Sequence, residues 1–300
     1  MTALDSPGRL PAAAPESFET HRSYLFAIAY RMLGSAMDAE DMVQETYLRY
    51  QATPPGTIVS LKAYLTTILT RLCLGQLRLA HRNRETYLGP WLPEPIPTTH
   101  SEDRVVTDET LSVAFLVLLE QLQPMERAVF LLREVFDYDY PDIASFLDKS
   151  EAACRQSFSR AKKHLTQHRP RFHTSPETQR RLLGRFLAAA QAGEMTGLMN
   201  LLAKDVVLWA DGGGKVKGAA THPIAGRAAV AEFTLGVARL FGEAGNRAKL
   251  GEVNGQPALV FYTQGQAFFV LTLEADHDRI RVLRGIANPD KLTRLGRLTE

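Results

Sequence analysis

A multidomain chain, two all-α units followed by an α+β unit, is the architecture that three features of this 300-residue sequence point to. Up to about residue 202 the apolar residues recur at helical spacing, and beyond it they gather in short runs rich in β-branched and aromatic residues, as in strands. Inside the helical part lies YLGPWLPEPIP (87–97), whose prolines at 90, 93, 95 and 97 exclude helix and central strand and leave an extended, semi-rigid linker. The length, with 45% hydrophobic and 23% charged residues, is enough for two or three cores. The expected boundaries are a flexible start at 1–15, a helical unit at 16–86, a linker at 87–107, a second helical unit at 108–170 and an α+β unit at 177–300.

The first unit opens with a helix over Phe18–Leu33, where Leu25, Ile28, Ala29 and Met32 share a face and Gly34 ends the run. A second helix at about 36–51 is acidic: Asp38, Glu40, Asp41 and Glu45 stand against the single Arg49, with Gln44 and Glu45 on a polar flank. The third begins at Ser60, interrupted only by Gly75. Leu61, Tyr64, Leu65, Ile68 and Leu72 form its core face, and Arg71, Arg78 and Arg82 line another flank. Residues 60–84 carry five basic residues and no acid, beside a helix of opposite sign, a polarity that suits two different partners. In the linker, Trp91 and Leu92 need an apolar surface to dock on.

In the second unit a helix at 108–121 leads into a helix-turn-helix: Asp142–Leu147, the turn Asp148-Lys149-Ser150, then a long basic helix capped by Ser150 with Glu151 in its first turn. Cys154, Phe158, Ala161 and Leu165 fall on one stripe of that last helix, leaving Arg155, Gln156, Ser159 and Arg160 on the opposite face. Such a helix enters a major groove, where Arg pairs with guanine and Gln with adenine, while Lys162 and Lys163 lie near phosphates. A net charge of only +2 means that any nucleic-acid affinity comes from such patches.

The third unit starts with a helix at about 177–192 and a shorter one ending near Leu202. Strands are expected at 206–210, 215–219, 247–253, 257–263, 267–275 and 279–287, largely as an antiparallel meander, with a helix at 226–241. Asn254-Gly255 is a strong hairpin signal. DGGGK (211–215) and NPDKL (288–292) follow the first and last strands; the first lacks the spacing of a phosphate loop. Cys73 and Cys154 sit among apolar residues and read as buried, reduced thiols. No apolar run reaches 18 residues and the start lacks a secretory pattern, so the chain is expected in the cytoplasm, away from membranes, with no metal or cofactor.

DAEDMVQETYLRY, the arginine-bearing third helix, the proline-broken linker and PMERAVFLLREVFDYDYPDIASFLDKSEAACRQSFSRAKKHL together resemble the two conserved domains of bacterial extracytoplasmic-function sigma factors, over about residues 18–168. The resemblance implies that Asp41, Gln44 and Glu45 bind core RNA polymerase. It implies that the third helix, with Arg71, Arg78 and Arg82, serves the minus-10 element of promoter DNA. It also implies that Arg155, Gln156, Ser159 and Arg160, with Lys162 on the backbone, read the minus-35 element. Asp142 stands where that family usually has Glu, and Cys154 where it has Val.

The third unit resembles a SnoaL-like member of the nuclear-transport-factor-2-like fold. Its two motifs, with Trp91-Leu92-Pro93-Glu94-Pro95, resemble the signature of the group whose fused C-terminal domain regulates the sigma factor in cis. The implied contacts are Trp91, Leu92, Pro93, Glu94, Asp211, Gly213, Lys215, Asn288, Pro289, Asp290 and Lys291, with Glu94 expected to pair Lys215 or Lys291. Docking would hold the two reading units at the wrong separation for one promoter. The competing reading is a SnoaL-like enzyme, using Asp205, Asp211, His222 or Glu232, or a metabolite-binding sensor with a small-molecule ligand, fused to a DNA-binding module. A repressor acting without polymerase would leave the acidic helix unexplained.

Overall fold

The computed structural model describes residues 17–54, 56–84, 86–97, 111–168, 174–242 and 246–296, the side chains of 80–84, 168 and 241 excepted. Three helices come first: α1 (Phe18–Leu33), α2 (Ala36–Gln51) and α3 (Leu61–Arg84). Gly34 closes α1 at φ 68° with its N–H on the Tyr30 carbonyl, a conformation glycine adopts without penalty. The Ser35 hydroxyl caps α2 and the Ser60 hydroxyl caps α3, which runs unbroken through Gly75.

The second helical unit contains α4 (Val113–Glu120), α5 (Pro124–Phe130), a π turn at Leu131–Val135, α6 (Tyr140–Leu147) and α7 (Glu151–His168). Asp139 caps α6, Asp148 turns the chain at φ 53°, and the Ser150 hydroxyl accepts the Ala153 N–H to start α7, as expected.

The two helical units share a single hydrophobic core. Leu25, Ile28, Leu65 and Leu69 of the first pack in one cluster with Leu119, Leu132, Ile143 and Phe146 of the second. Polar contacts reinforce this union. The Tyr24 hydroxyl donates to the Tyr138 hydroxyl at 2.8 Å, and Lys62 lies 4.4 Å over the Tyr24 ring. The buried Arg127 guanidinium donates to the Arg31 carbonyl at 3.0 and 3.2 Å and pairs with Glu120. Burial pulls Arg127 down to about 9, so it remains charged at neutral pH.

The third unit consists of α8 (Pro176–Gln191), α9 (Met195–Leu201), β1 (Leu202–Asp211), β2 (Ile224–Ala225), α10 (Arg227–Phe241), β3 (Arg247–Val253), β4 (Gln256–Thr263), β5 (Gln266–Asp276) and β6 (Arg279–Ile286). The sheet order is β2-β1-β6-β5-β4-β3. Strands β3 to β6 form the expected meander, but β1 runs parallel to β6, because the chain returns to it only after β2, α10 and three further strands. The strand expected at 215–219 does not form. Gly213, Gly214 and Gly218 take positive φ, the Lys215 N–H turns back onto the Gly212 carbonyl, and the short β2 pairs with β1 instead.

Alternation along the strands gives the sheet two apolar faces. The inner face (Leu208, Leu259, Leu271, Leu283) packs on α8–α10. The outer face (Ala258, Val260, Val270, Ile286) receives the linker and Val117 of α4.

Candidate nucleic-acid interface and its intramolecular clamp

On α7, Cys154, Ala161 and Leu165 are buried and Phe158 is half-buried, so the opposite face projects outward. Arg155, Gln156, Ser159, Arg160 and Lys162 are all exposed along it. The two arginines are held in place without being buried. Arg155 pairs with Glu151 at 2.9 Å and lies 4.3 Å over the Tyr140 ring, and Arg160 pairs with Glu126 at 3.2 Å. An exposed pair such as Arg155–Glu151 contributes only about 0–1 kcal/mol and yields readily to a stronger anion, whereas Glu126 is largely covered beneath Arg160.

Asp41 and Gln44 are exposed on α2 and Glu45 is half-buried beside Arg49 at 2.8 Å. Helical spacing puts Met37 and Leu48, 60% and 52% exposed, on the stripe of Asp41 and Gln44. Sequence reasoning missed these two apolar residues, although their i, i+4, i+7, i+11 spacing was there to read. The arginine flank of α3 divides. Arg78 is exposed, whereas Arg71 donates to the Phe146 carbonyl at 2.8 Å and the Ser145 carbonyl at 3.1 Å, at the C-terminal end of α6. The side chain of Arg82 lies outside the described residues.

The linker is the third part. Leu92 is buried among Val253, Val260, Ile286 and Leu292, and Pro93, Glu94, Pro95 and Ile96 are buried beside it. Trp91 reaches the other way: a methyl at Gly34 would stand 2.8 Å from its ring, and Lys291 lies 4.2 Å over it. Leu92 thus faces the C-terminal sheet, while the Trp91 ring lies between Gly34 at the end of α1 and Lys291.

At the centre of the contact is Asp211, at the end of β1 and fully buried. Its carboxylate accepts the Tyr87 hydroxyl at 2.6 Å, the Leu92 N–H at 2.8 Å and the Lys291 ammonium at 2.7 Å. Lys291 also donates to the Leu92 carbonyl at 2.5 Å. Burial first, and then the Asp211 carboxylate, hold the Tyr87 hydroxyl well above the usual phenol range, so it stays a donor. The Asn288 amide donates to Tyr87 at 2.9 Å, and its side chain lies so close to Gly213 that a Cβ there would collide with it. Pro289 opens the short 3₁₀ turn carrying Asp290 and Lys291, and Lys215 pairs with Asp290 at 2.5 Å.

Glu94 departs from expectation, for it pairs with neither lysine, each of which already holds an aspartate. Its carboxylate accepts the Ala36 N–H at 2.7 Å and the Met37 N–H at 3.1 Å, at the N-terminus of α2, where free amides and the helix dipole favour an anion. A second knot was also missed. Asn254, taken only as a hairpin residue, does turn β3 into β4 at φ 55°, but its side chain also accepts the Ile96 N–H and donates to the Tyr30 hydroxyl and the Leu111 carbonyl. One amide thus ties the sheet, the linker and both helical units together.

The four groups weighed for acid–base chemistry do not converge. Asp205 is exposed and paired with Arg281, Asp211 is in the clamp, His222 is exposed beside Thr221, and Glu232 is exposed on α10. Cys73 and Cys154 are buried, free thiols. Among the described residues no helix is long and apolar enough to cross a membrane.

Residues 17–83 match the family described as Sigma-70 region 2, and residues 112–165 the one described as Sigma-70, region 4. The ECF RNA polymerase sigma factor SigJ of Mycobacterium tuberculosis is 36% identical over 291 residues, covering 92% of each chain. The probable ECF RNA polymerase sigma factor SigI of that organism is 32% identical over 190 residues, 62% of this chain and 66% of that one. A crystal structure of M. tuberculosis SigJ aligns with a TM-score of 0.73 at 35% identity, covering 92% of this chain and 97% of that one. An NTF2-like protein of Mesorhizobium loti aligns over 39% of this chain and 97% of its own, at 19% identity and a TM-score of 0.29.

Proposed function

The chain belongs to the ECF RNA polymerase sigma factors, and from that premise we propose that its C-terminal unit holds the promoter-reading helices in a closed, inactive arrangement. As a sigma factor it directs transcription initiation. Its sigma regions imply binding to RNA polymerase and promoter DNA.

In this reading Asp41, Gln44 and Glu45, with Met37 and Leu48 beside them, meet core polymerase. Arg155, Gln156, Ser159 and Arg160 read the minus-35 element over phosphates held by Lys162, and Arg71, Arg78 and Arg82 serve the minus-10 element. Arg71 cannot do so while its guanidinium sits on the α6 carbonyls. The observation that carries the reading is the buried Asp211–Lys291 pair, which grips both backbone groups of Leu92 and so fixes the linker between the two reading units. The DGGGK and NPDKL segments act through that grip, Gly213 admitting Asn288 and Lys215 anchoring Asp290.

The test is transcription in vitro with purified core polymerase. Lys291→Ala should initiate at the same promoter as the unaltered chain with higher output at limiting sigma factor. Equal output from the two proteins, together with equal affinity for core, would remove the inhibitory role.

A further inference from the structure

The clamp occupies the outer face of the C-terminal sheet, and the inner face is incompletely filled. Between that face and α10 lies a cavity of about 570 Å³. It shares Leu208, Phe233, Val237, Phe268, Phe269 and Leu271 with a second lobe of about 370 Å³ that reaches α8. Protein interiors pack at the density of organic crystals and leave few voids larger than a water molecule, so a space of this size, within the range of small-molecule pockets, calls for an occupant.

Its walls define that occupant. The interior is predominantly aliphatic and aromatic, with the half-buried Thr234 and Asn246 in the second lobe, and no carboxylate lines either lobe among the described residues. Lys217 and Arg247 are exposed at the rim, as are the polar Thr263, Gln266 and Thr293. A charge carried past the rim into the interior would lose its hydration without gaining an ionic partner, whereas a neutral, largely apolar molecule would lose nothing of the kind.

The cavity also touches the clamp. Val216–Ala219, directly after the DGGGK segment, and Pro289, Leu292 and Thr293 form part of its wall. Leu292 belongs to both sites: it lines the cavity and is buried in the outer cluster that receives Leu92. While the linker is docked, Leu92 holds Leu292 in that cluster. Undocking the linker removes that support from a side chain that already forms part of the cavity wall.

We propose that this cavity binds a neutral, predominantly apolar organic molecule, and that Leu292 couples its occupancy to the clamp so that the ligand stabilises the closed form. The inference rests on the closed-form reading above. Coupling is reciprocal: a ligand that favours the clamped state must bind more weakly once the clamp is broken.

The probe is N-phenyl-1-naphthylamine, a neutral fluorophore, titrated against the full-length chain and compared with its anionic relative 1-anilinonaphthalene-8-sulfonate. The expected result is one saturable site for the neutral probe, occupied without the help of a charge, and no dependence of its affinity on ionic strength, whereas any binding of the anion through Lys217 or Arg247 at the rim should weaken as salt is added. Ala210→Leu inside the cavity and Gln266→Trp at its mouth should each weaken the neutral probe about tenfold or more. The mouth variant keeps the test valid should the interior one fail to fold. Lys291→Ala should weaken the probe about fivefold or more, the lower end of ordinary coupling. Labels on α2 and α7 read in the same samples whether the chain has opened. Unchanged label distances in Lys291→Ala would overturn the closed-form reading on which the coupling rests. An opened chain that binds the probe as tightly as before would overturn the coupling alone. Probe binding indifferent to both cavity variants would overturn the site.

Discussion

Asp211 and Lys291 form a pair whose side chains are 0% and 12% exposed, the carboxylate being cut off from water while the linker is docked. Such a pair adds little net stability over an apolar isostere, yet breaking it from one side is expensive, because a charge is left buried without its counterpart. Lys291→Ala should therefore destabilise the full chain by about 3–5 kcal/mol, or expel the linker to let water reach Asp211. Asp211→Asn with Lys291→Met should lose clearly less than the two single changes added together. Denaturant unfolding of the three variants checks this, and additive losses would mean that the residues act separately.

At the scale of elements, α2 is capped from outside. Its own Ser35 accepts only the Asp38 N–H, and the amides of Ala36 and Met37 are left to Glu94, some 58 residues away in sequence. Replacing Glu94 by Gln keeps a hydrogen-bond acceptor and removes the charge at the dipole, at a cost of about 0.3–1 kcal/mol, while Ala removes the cap itself and costs about 1–2 kcal/mol. Hydrogen exchange at Ala36 and Met37 should rise in that order, and no change in either variant would dismiss the cap. On α7, Arg155→Ala in the polymerase-bound protein should weaken one minus-35 base pair by about 1–3 kcal/mol, whereas Lys162→Ala should weaken all sequences alike. Competition between matched and scrambled duplexes separates the two, and equal losses on both for Arg155→Ala would refute its reading role.

What the sequence made legible divides along the same line. The helix caps at Gly34, Ser60 and Ser150, the Asn254-Gly255 turn and the apolar stripe of α7 are decided by neighbours within four residues, and all were readable. Glu94 on α2, Asn254 on Tyr30 and Lys291 on Asp211 join residues 58, 224 and 80 positions apart, and no local pattern distinguishes them from surface polar groups. The 215–219 segment misled because alternating Lys and Val imitates a strand, while the glycines around it favour the turns that serve the clamp.

For the whole molecule, the question is what keeps the two helical units in one body. The interface has an apolar part, with Leu65 and Leu69 in the cluster of Ile143 and Phe146, and a polar part formed by Tyr24, Thr66, Tyr138 and Arg71. The hydroxyl of Tyr24 is held well above the usual phenol range by burial and then by Tyr138, so it serves as a donor throughout the physiological pH range. Moving a two-state equilibrium from 1:99 to 99:1 takes about 5.5 kcal/mol. A single neutral hydrogen bond nets about 0.5–1.5 kcal/mol. Tyr138→Phe, which keeps the ring against Phe146 and removes only the hydroxyl, should therefore shift the closed population slightly. Arg71→Ala, which releases two carbonyls at the end of α6, should shift it further, and adding Lys291→Ala should open most of the molecules. Distances between a label on exposed Gln51 of α2 and one on exposed Gln167 of α7, both outside the proposed binding residues, follow this series, and core polymerase, competing for the open form, should lengthen them in every variant. A distribution that stayed short in the triple variant would mean that the apolar core alone holds the units together, and that the clamp does not control their separation.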